Sequence, residues 1–135
     1  MKIMVRTMIF FILITFTATL IACQPINYDT VARIESWEDR FDLEEGTFLI
    51  YYYHPDCPAC KIIEREMFIF VRDYNDDIPM YFLLASPDVG TPPADIGVVP
   101  TLVHMNGNQY VQHVSGIDPI RNYLHALTNV QNQRQ

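Results

Sequence analysis

Between Thr47 and Tyr74 the spacing of apolar residues changes at a pair of cysteines, and that change limits the folds open to the chain. The run "TFLIYYYH" at 47–54 is nearly unbroken in β-branched and aromatic residues. Such a composition predicts a strand covered on both faces in the middle of a sheet. After Cys57 the period becomes helical, with Cys60, Ile63, Met67, Phe70, Val71 and Tyr74 on one stripe and Glu64, Arg65 and Arg72 largely elsewhere. "NDD" at 75–77 stops that helix, and "IPMYFLLA" at 78–85 reads as a second buried strand. A strand, a helix and a strand in succession make a βαβ unit with parallel strands.

The flanking segments extend this pattern. Val31, Ile34, Trp37 and Phe41 recur at spacings of three or four, which predicts an amphipathic helix with Arg33, Glu38, Asp39 and Arg40 towards water. The turn-rich "SPDVGTPPADIG" at 86–97 leads to "VVPTLVHM", and its proline and glycine content predicts a short or absent helix. Asn106 and Gly107 signal a hairpin returning through "QYVQHVSG". Asp118 and Pro119 match an N-cap and a first helical position, opening a last helix through Ile120, Tyr123, Leu124 and Leu127. The expected order is α, β, α, β, loop, β, β, α, in one domain.

The N-terminus reads as a targeting segment. Lys2 and Arg6 precede 17 uncharged residues, Thr7 to Cys23, that include "IFFILITF". Leu20, Ile21, Ala22 and Cys23 resemble the lipobox of bacterial lipoproteins, which implies cleavage before Cys23 and a lipid on its sulfur. An uncleaved anchor and plain cleavage that leaves a spare thiol are the other readings. In each, the basic front edge stays inside and the remainder is exported. The expected division is a signal peptide at 1–22, a tether at 23–29 beginning at the lipidated Cys23, and a folded domain at 30–135. Without residues 1–22 the chain keeps 7 basic and 16 acidic residues, a net charge of −9. That balance excludes a nucleic-acid role resting on a basic face, and also electrostatic adsorption to anionic lipid, so membrane contact would rest on the N-terminus alone.

Three cysteines in an exported protein leave one over unless one has another use, and lipidation of Cys23 leaves Cys57 and Cys60 as a pair. A bridge enclosing two residues constrains the unfolded chain little, so redox chemistry explains it better than stapling. Cys57 lies where the helix begins, among unpaired N–H groups at the positive end of the dipole, both of which favour thiolate. Cys57 is therefore the expected nucleophile. Cys60, on the core-facing stripe, is the expected resolving thiol. Pro58 suits the first helical turn, where an N–H would have no partner. Zinc would need four ligands; His54, Cys57, Cys60, His104 and His113 are available, but no second C-x-x-C or H-x-x-x-H occurs, so no metal is expected.

This order, with "CPACK" at 57–61 at the first strand-to-helix junction, "VVPT" at 98–101 and the hairpin closing at Gly116, resembles the thioredoxin family over about residues 30–130. The resemblance implies an α/β thioredoxin-like fold, a central mixed sheet flanked by helices, and thiol–disulfide oxidoreductase activity with no cofactor beyond the Cys57–Cys60 dithiol. It implies a cis bond before Pro100, although the residues alone fit either isomer. It also makes Val99, Pro100 and Thr101 the substrate-binding loop, with the backbone of Val99 offered to an extended segment. His54, Asp56, Pro58, Ala59 and Lys61 would tune the pair. Two departures stand out: Asp56 precedes the first cysteine where many thioredoxins have Trp, and Tyr51 stands where they bury an Asp. Asp56 would oppose a thiolate on Cys57, a protonated His54 would favour it, and Ala59 adds no charge. Expected partners are cysteine-containing exported proteins and a membrane redox partner that recycles the pair, with the protein itself a monomer on the extracytoplasmic face of a bacterial membrane. A binding module that keeps the fold without turnover is the alternative.

Overall fold

A computed structural model describes residues 25–43 and 46–133 of the 135. The expected signal peptide and Cys23 lie outside the described residues. The elements are strand β1 (Arg33–Ile34), a 3-10 helix (Glu38–Asp42), β2 (Thr47–Tyr53), helix α1 (Pro58–Tyr74), β3 (Met80–Leu84), β4 (Thr101–Asn106), β5 (Gln109–Ser115) and helix α2 (Ile117–Asn132).

The strands form one mixed sheet in the order β1-β3-β2-β4-β5, with β2 at its centre. β3 runs parallel to both β1 and β2, β2 is antiparallel to β4, and β4 to β5. The alternation of β2 explains its unbroken apolar run. Leu49, Tyr51 and Tyr53 face one core, with Cys60, Ile63, Met67 and Phe70 of α1 and Ile120 and Leu124 of α2. Phe48 and Ile50 face a second core on the other side, with Trp37, Leu83, Val89, Val103 and Met105. Each such side chain fully buried contributes about 1.5–3 kcal/mol, and a central strand collects that on both faces.

The helix expected over Val31–Phe41 is absent. Val31 belongs to the first core, whereas Ile34 and Trp37 belong to the second. Their spacing thus marks a chain crossing the sheet edge. Asp39 fixes the crossing, its carboxylate accepting from the backbone N–H of Glu35 and Ser36 and from the Ser36 hydroxyl. Side-chain bonds of this kind compete with helix. Phe41, expected on the buried stripe, is 52% exposed, and the Arg40 guanidinium stacks over its ring.

Two boundaries shift as well. The hairpin pairs Asn106 with Gln109, so Gly107 and Asn108 form the turn, with Gly107 at φ +54°. α2 begins at Ile117 after Gly116, not after Asp118; Asp118 falls in the first turn, where its charge complements the dipole. No helix lies between β3 and β4, as the composition of 86–97 predicts. The expected tether is partly docked: Ile26 and Tyr28 pack against the first core. Among the described residues no helix is long and apolar enough to cross a membrane.

Candidate active site

The site lies at the end of β2, where the central strand gives way to α1. Cys57 caps the helix in extended backbone (φ −80°, ψ 115°), and its sulfur accepts the N–H of Cys60 at 3.2 Å. The Cys57 amide donates to the His54 carbonyl at 3.1 Å, closing the preceding turn. Pro58 occupies the first helical turn. Both cysteines are free thiols, Cys57 half-buried and Cys60 fully buried.

The loop before β4 meets this helix end. The Val99–Pro100 bond is cis, and the Cys57 thiol points at the Val99 carbonyl, 3.7 Å away. Thr101, fully buried, fixes the loop from within: its hydroxyl donates to the Val98 carbonyl at 2.8 Å and pairs with the Ser115 hydroxyl at 2.7 Å. The Gly116 amide donates to the Pro100 carbonyl at 3.0 Å. Val99 therefore stands against Cys57 although 42 residues separate them, with Pro100 and Thr101 next to it in the same loop.

The expected tuning residues are less uniform in place. His54 is half-buried and its Nδ1 accepts the Asp56 amide at 3.2 Å. Asp56, Pro58 and Lys61 are exposed, and Ala59 is half-buried. His104 and His113, weighed as zinc ligands, are drawn into separate contacts, His104 with Tyr123 and His113 with Tyr110. They pair with Gln112 and Val103 respectively, which sets them on opposite faces of the hairpin.

Beneath the pair the surroundings are apolar. Burial pushes the Cys60 thiol up to about 11, aided by Cys57, while a backbone group of His54 and the Tyr51 hydroxyl pull it down. Tyr51 is fully buried on β2 and is also held above its ordinary range, first by burial and then by the neighbouring Cys60. Tyr53 stacks on Tyr51 with ring centroids 5.6 Å apart, and Tyr28 stacks on the far side of Tyr53 at 4.5 Å. Sequence reasoning missed this aromatic wall, because Tyr28 lies in the stretch taken for a tether; the alternation of Ile26 and Tyr28 is the one local sign of it.

A half-exposed cysteine capping a helix, a buried partner one turn on and a cis-proline loop facing them on a mixed sheet define a dithiol site of the thioredoxin fold. Solved structures agree on that fold. The chain is similar to thioredoxin from Trypanosoma brucei brucei, with a TM-score of 0.61 at 18% identity over 82% of this chain and 98% of that one. It is similar to thioredoxin f2 of Chlamydomonas reinhardtii, with 0.61 at 18% over 75% and 95%. The oxidised form of mitochondrial thioredoxin 3 from Saccharomyces cerevisiae gives 0.60 at 18% over 71% and 92%. No family model matches the sequence, and no curated protein matches it.

Proposed function

We propose that the chain is a thiol–disulfide oxidoreductase that works outside the cytosol on cysteines of other exported proteins and is held to the membrane through Cys23. The observation that carries the redox reading is the Cys57 sulfur at a helix N-terminus, 3.2 Å from the Cys60 amide and 3.7 Å from the carbonyl before cis-Pro100. Half-exposed, Cys57 can attack or be attacked, and buried Cys60 then releases the mixed disulfide from within. The loop at Val99 supplies backbone for an extended client segment. The membrane part of the reading rests on the sequence "LIAC" at 20–23 after a basic, apolar leader.

The test is the reduction potential of residues 24–135, equilibrated in glutathione buffers and read by thiol alkylation. A value near about −270 mV marks a reductant that must be fed electrons, and one near about −120 mV a disulfide donor. Absence of any reversible Cys57–Cys60 bridge overturns the enzyme and leaves a binding module. Separately, full-length protein expressed with labelled palmitate should carry label that is lost on Cys23→Ser; wild-type protein without label refutes the lipid anchor.

A further inference from the structure

Tyr51 has a hydroxyl with no use in the fold. The side chain is 0% exposed and its oxygen is buried without a hydrogen-bond partner. A buried polar group left unpaired costs about 1–3 kcal/mol, and phenylalanine would fill the same space without that cost. Its ring stacks on Tyr53 and meets the edge of Phe82, contacts that need no oxygen. β2 register fixes it centrally, between Phe82 on β3 and Leu102 on β4. Cys60, on the buried face of α1, belongs to the same cluster on the side of the sheet that Tyr51 faces, and each group shifts the other's proton affinity. The remaining titratable groups acting on Tyr51 and Cys60 are Cys57 and Tyr28, with Glu64 set against the Tyr28 hydroxyl.

We propose that the Tyr51 hydroxyl is the hydrogen-bond donor that stabilises the Cys60 thiolate while the mixed disulfide is resolved. The inference rests on the oxidoreductase reading and deepens it. A neutral thiol is a weak acceptor, which leaves the hydroxyl idle in the reduced protein; a thiolate at the same place is a strong one. In the step itself Cys60 gives its proton to water and its sulfur attacks the Cys57 sulfur. The bond between Cys57 and the client breaks, the Cys57–Cys60 bond forms, and the client sulfur leaves with the electron pair and takes a proton from water. The client is reduced and the pair oxidised, while Tyr51 keeps its own proton. A buried carboxylate in this position could accept the proton; Tyr51, raised above its ordinary range, lowers the energy of the anion only by donation.

Reduced protein mixed with 5,5′-dithiobis(2-nitrobenzoate) separates the two thiols. The first equivalent of chromophore reports attack by Cys57, and the second reports resolution by Cys60. Stopped-flow traces from pH 6 to 10 should show Tyr51→Phe leaving the first phase unchanged and slowing the second about threefold, about a one-unit rise in the Cys60 pKa partly offset by the greater nucleophilicity of the more basic thiolate. Tyr53→Phe should change neither phase. A second phase in Tyr51→Phe identical to wild type across that range overturns the proposal. If Tyr51→Phe does not fold, Cys57→Ser protein decides: the Tyr51 13Cζ resonance should move at the midpoint of Cys60 ionisation, and a resonance that stays still refutes the contact. Wild-type protein that releases no second equivalent refutes the oxidoreductase reading itself, and the proposed step with it.

Discussion

The ring of Tyr28 lies parallel to that of Tyr53, 4.5 Å away and 5° from coplanar, so a residue upstream of every strand closes the wall behind the cysteine pair. Phe68 and Phe82 meet the Tyr28 ring edge-on, and the Arg33 guanidinium donates to the Tyr28 carbonyl at 2.6 Å. Tyr28→Ala should lower stability by about 2 kcal/mol through lost packing. Urea unfolding checks this, and a midpoint equal to wild type would show that the docked segment contributes nothing.

The two thiols should differ sharply in access. Cys57 is half-buried and Cys60 is 0% exposed. Iodoacetamide at neutral pH should modify Cys57 at least about tenfold faster than Cys60. Mass spectrometry of peptides from a time course gives both rates, and equal rates would mean that Cys60 is not shielded.

Alkaline pH should destabilise the reduced protein more than the oxidised one. Burial raises the folded Cys60 pKa to about 11, above an unfolded value near 8.5. Stability from this group is therefore complete below about pH 8.5 and lost as pH rises towards 11. A disulfide has no proton to lose. Thermal melts of both forms from pH 7 to 10.5 should diverge above about 8.5, and parallel curves would contradict a strongly shifted Cys60.

Gly90 should not tolerate a side chain. Its φ is +77°, and a Cβ there would stand 1.8 Å from the Glu38 carboxylate, which accepts the Thr91 amide at 2.9 Å. That contact ties the 3-10 helix to the segment carrying Val89 into the second core. Gly90→Ala should cost about 1–3 kcal/mol, measured by thermal unfolding, with little change in the reactivity of Cys57.

Much of this molecule is legible in its sequence where one physical demand dominates. β2 and α1 must bury opposite kinds of stripe, one alternating and one helical, and both follow from residues 47–74. The cysteine pair falls at their junction, so its helix-capping position was readable too. Where a segment serves two cores, periodicity misleads: Val31 and Trp37 look like neighbours on a helix but point to opposite sides of the sheet. α2 starts earlier than its sequence predicts because Gly116, at φ +91°, already turns the chain out of the hairpin, so Asp118 is not needed as a cap. The cis bond at Pro100 is invisible to local composition and came only from resemblance. That Tyr51 stands in place of a buried Asp follows from the resemblance, whereas its unpartnered hydroxyl shows only once β2 is packed against α1.

The docking of Ile26 limits how far any anchor upstream could let the domain travel. Three residues of fully extended chain, from Cys23 to Ile26, span at most about 10 Å. A lipid on Cys23 would therefore hold the domain flush against the bilayer with almost no slack. Clients would have to arrive within a few ångströms of the headgroups, and those embedded in or emerging from the membrane would meet the thiols more readily than freely diffusing ones.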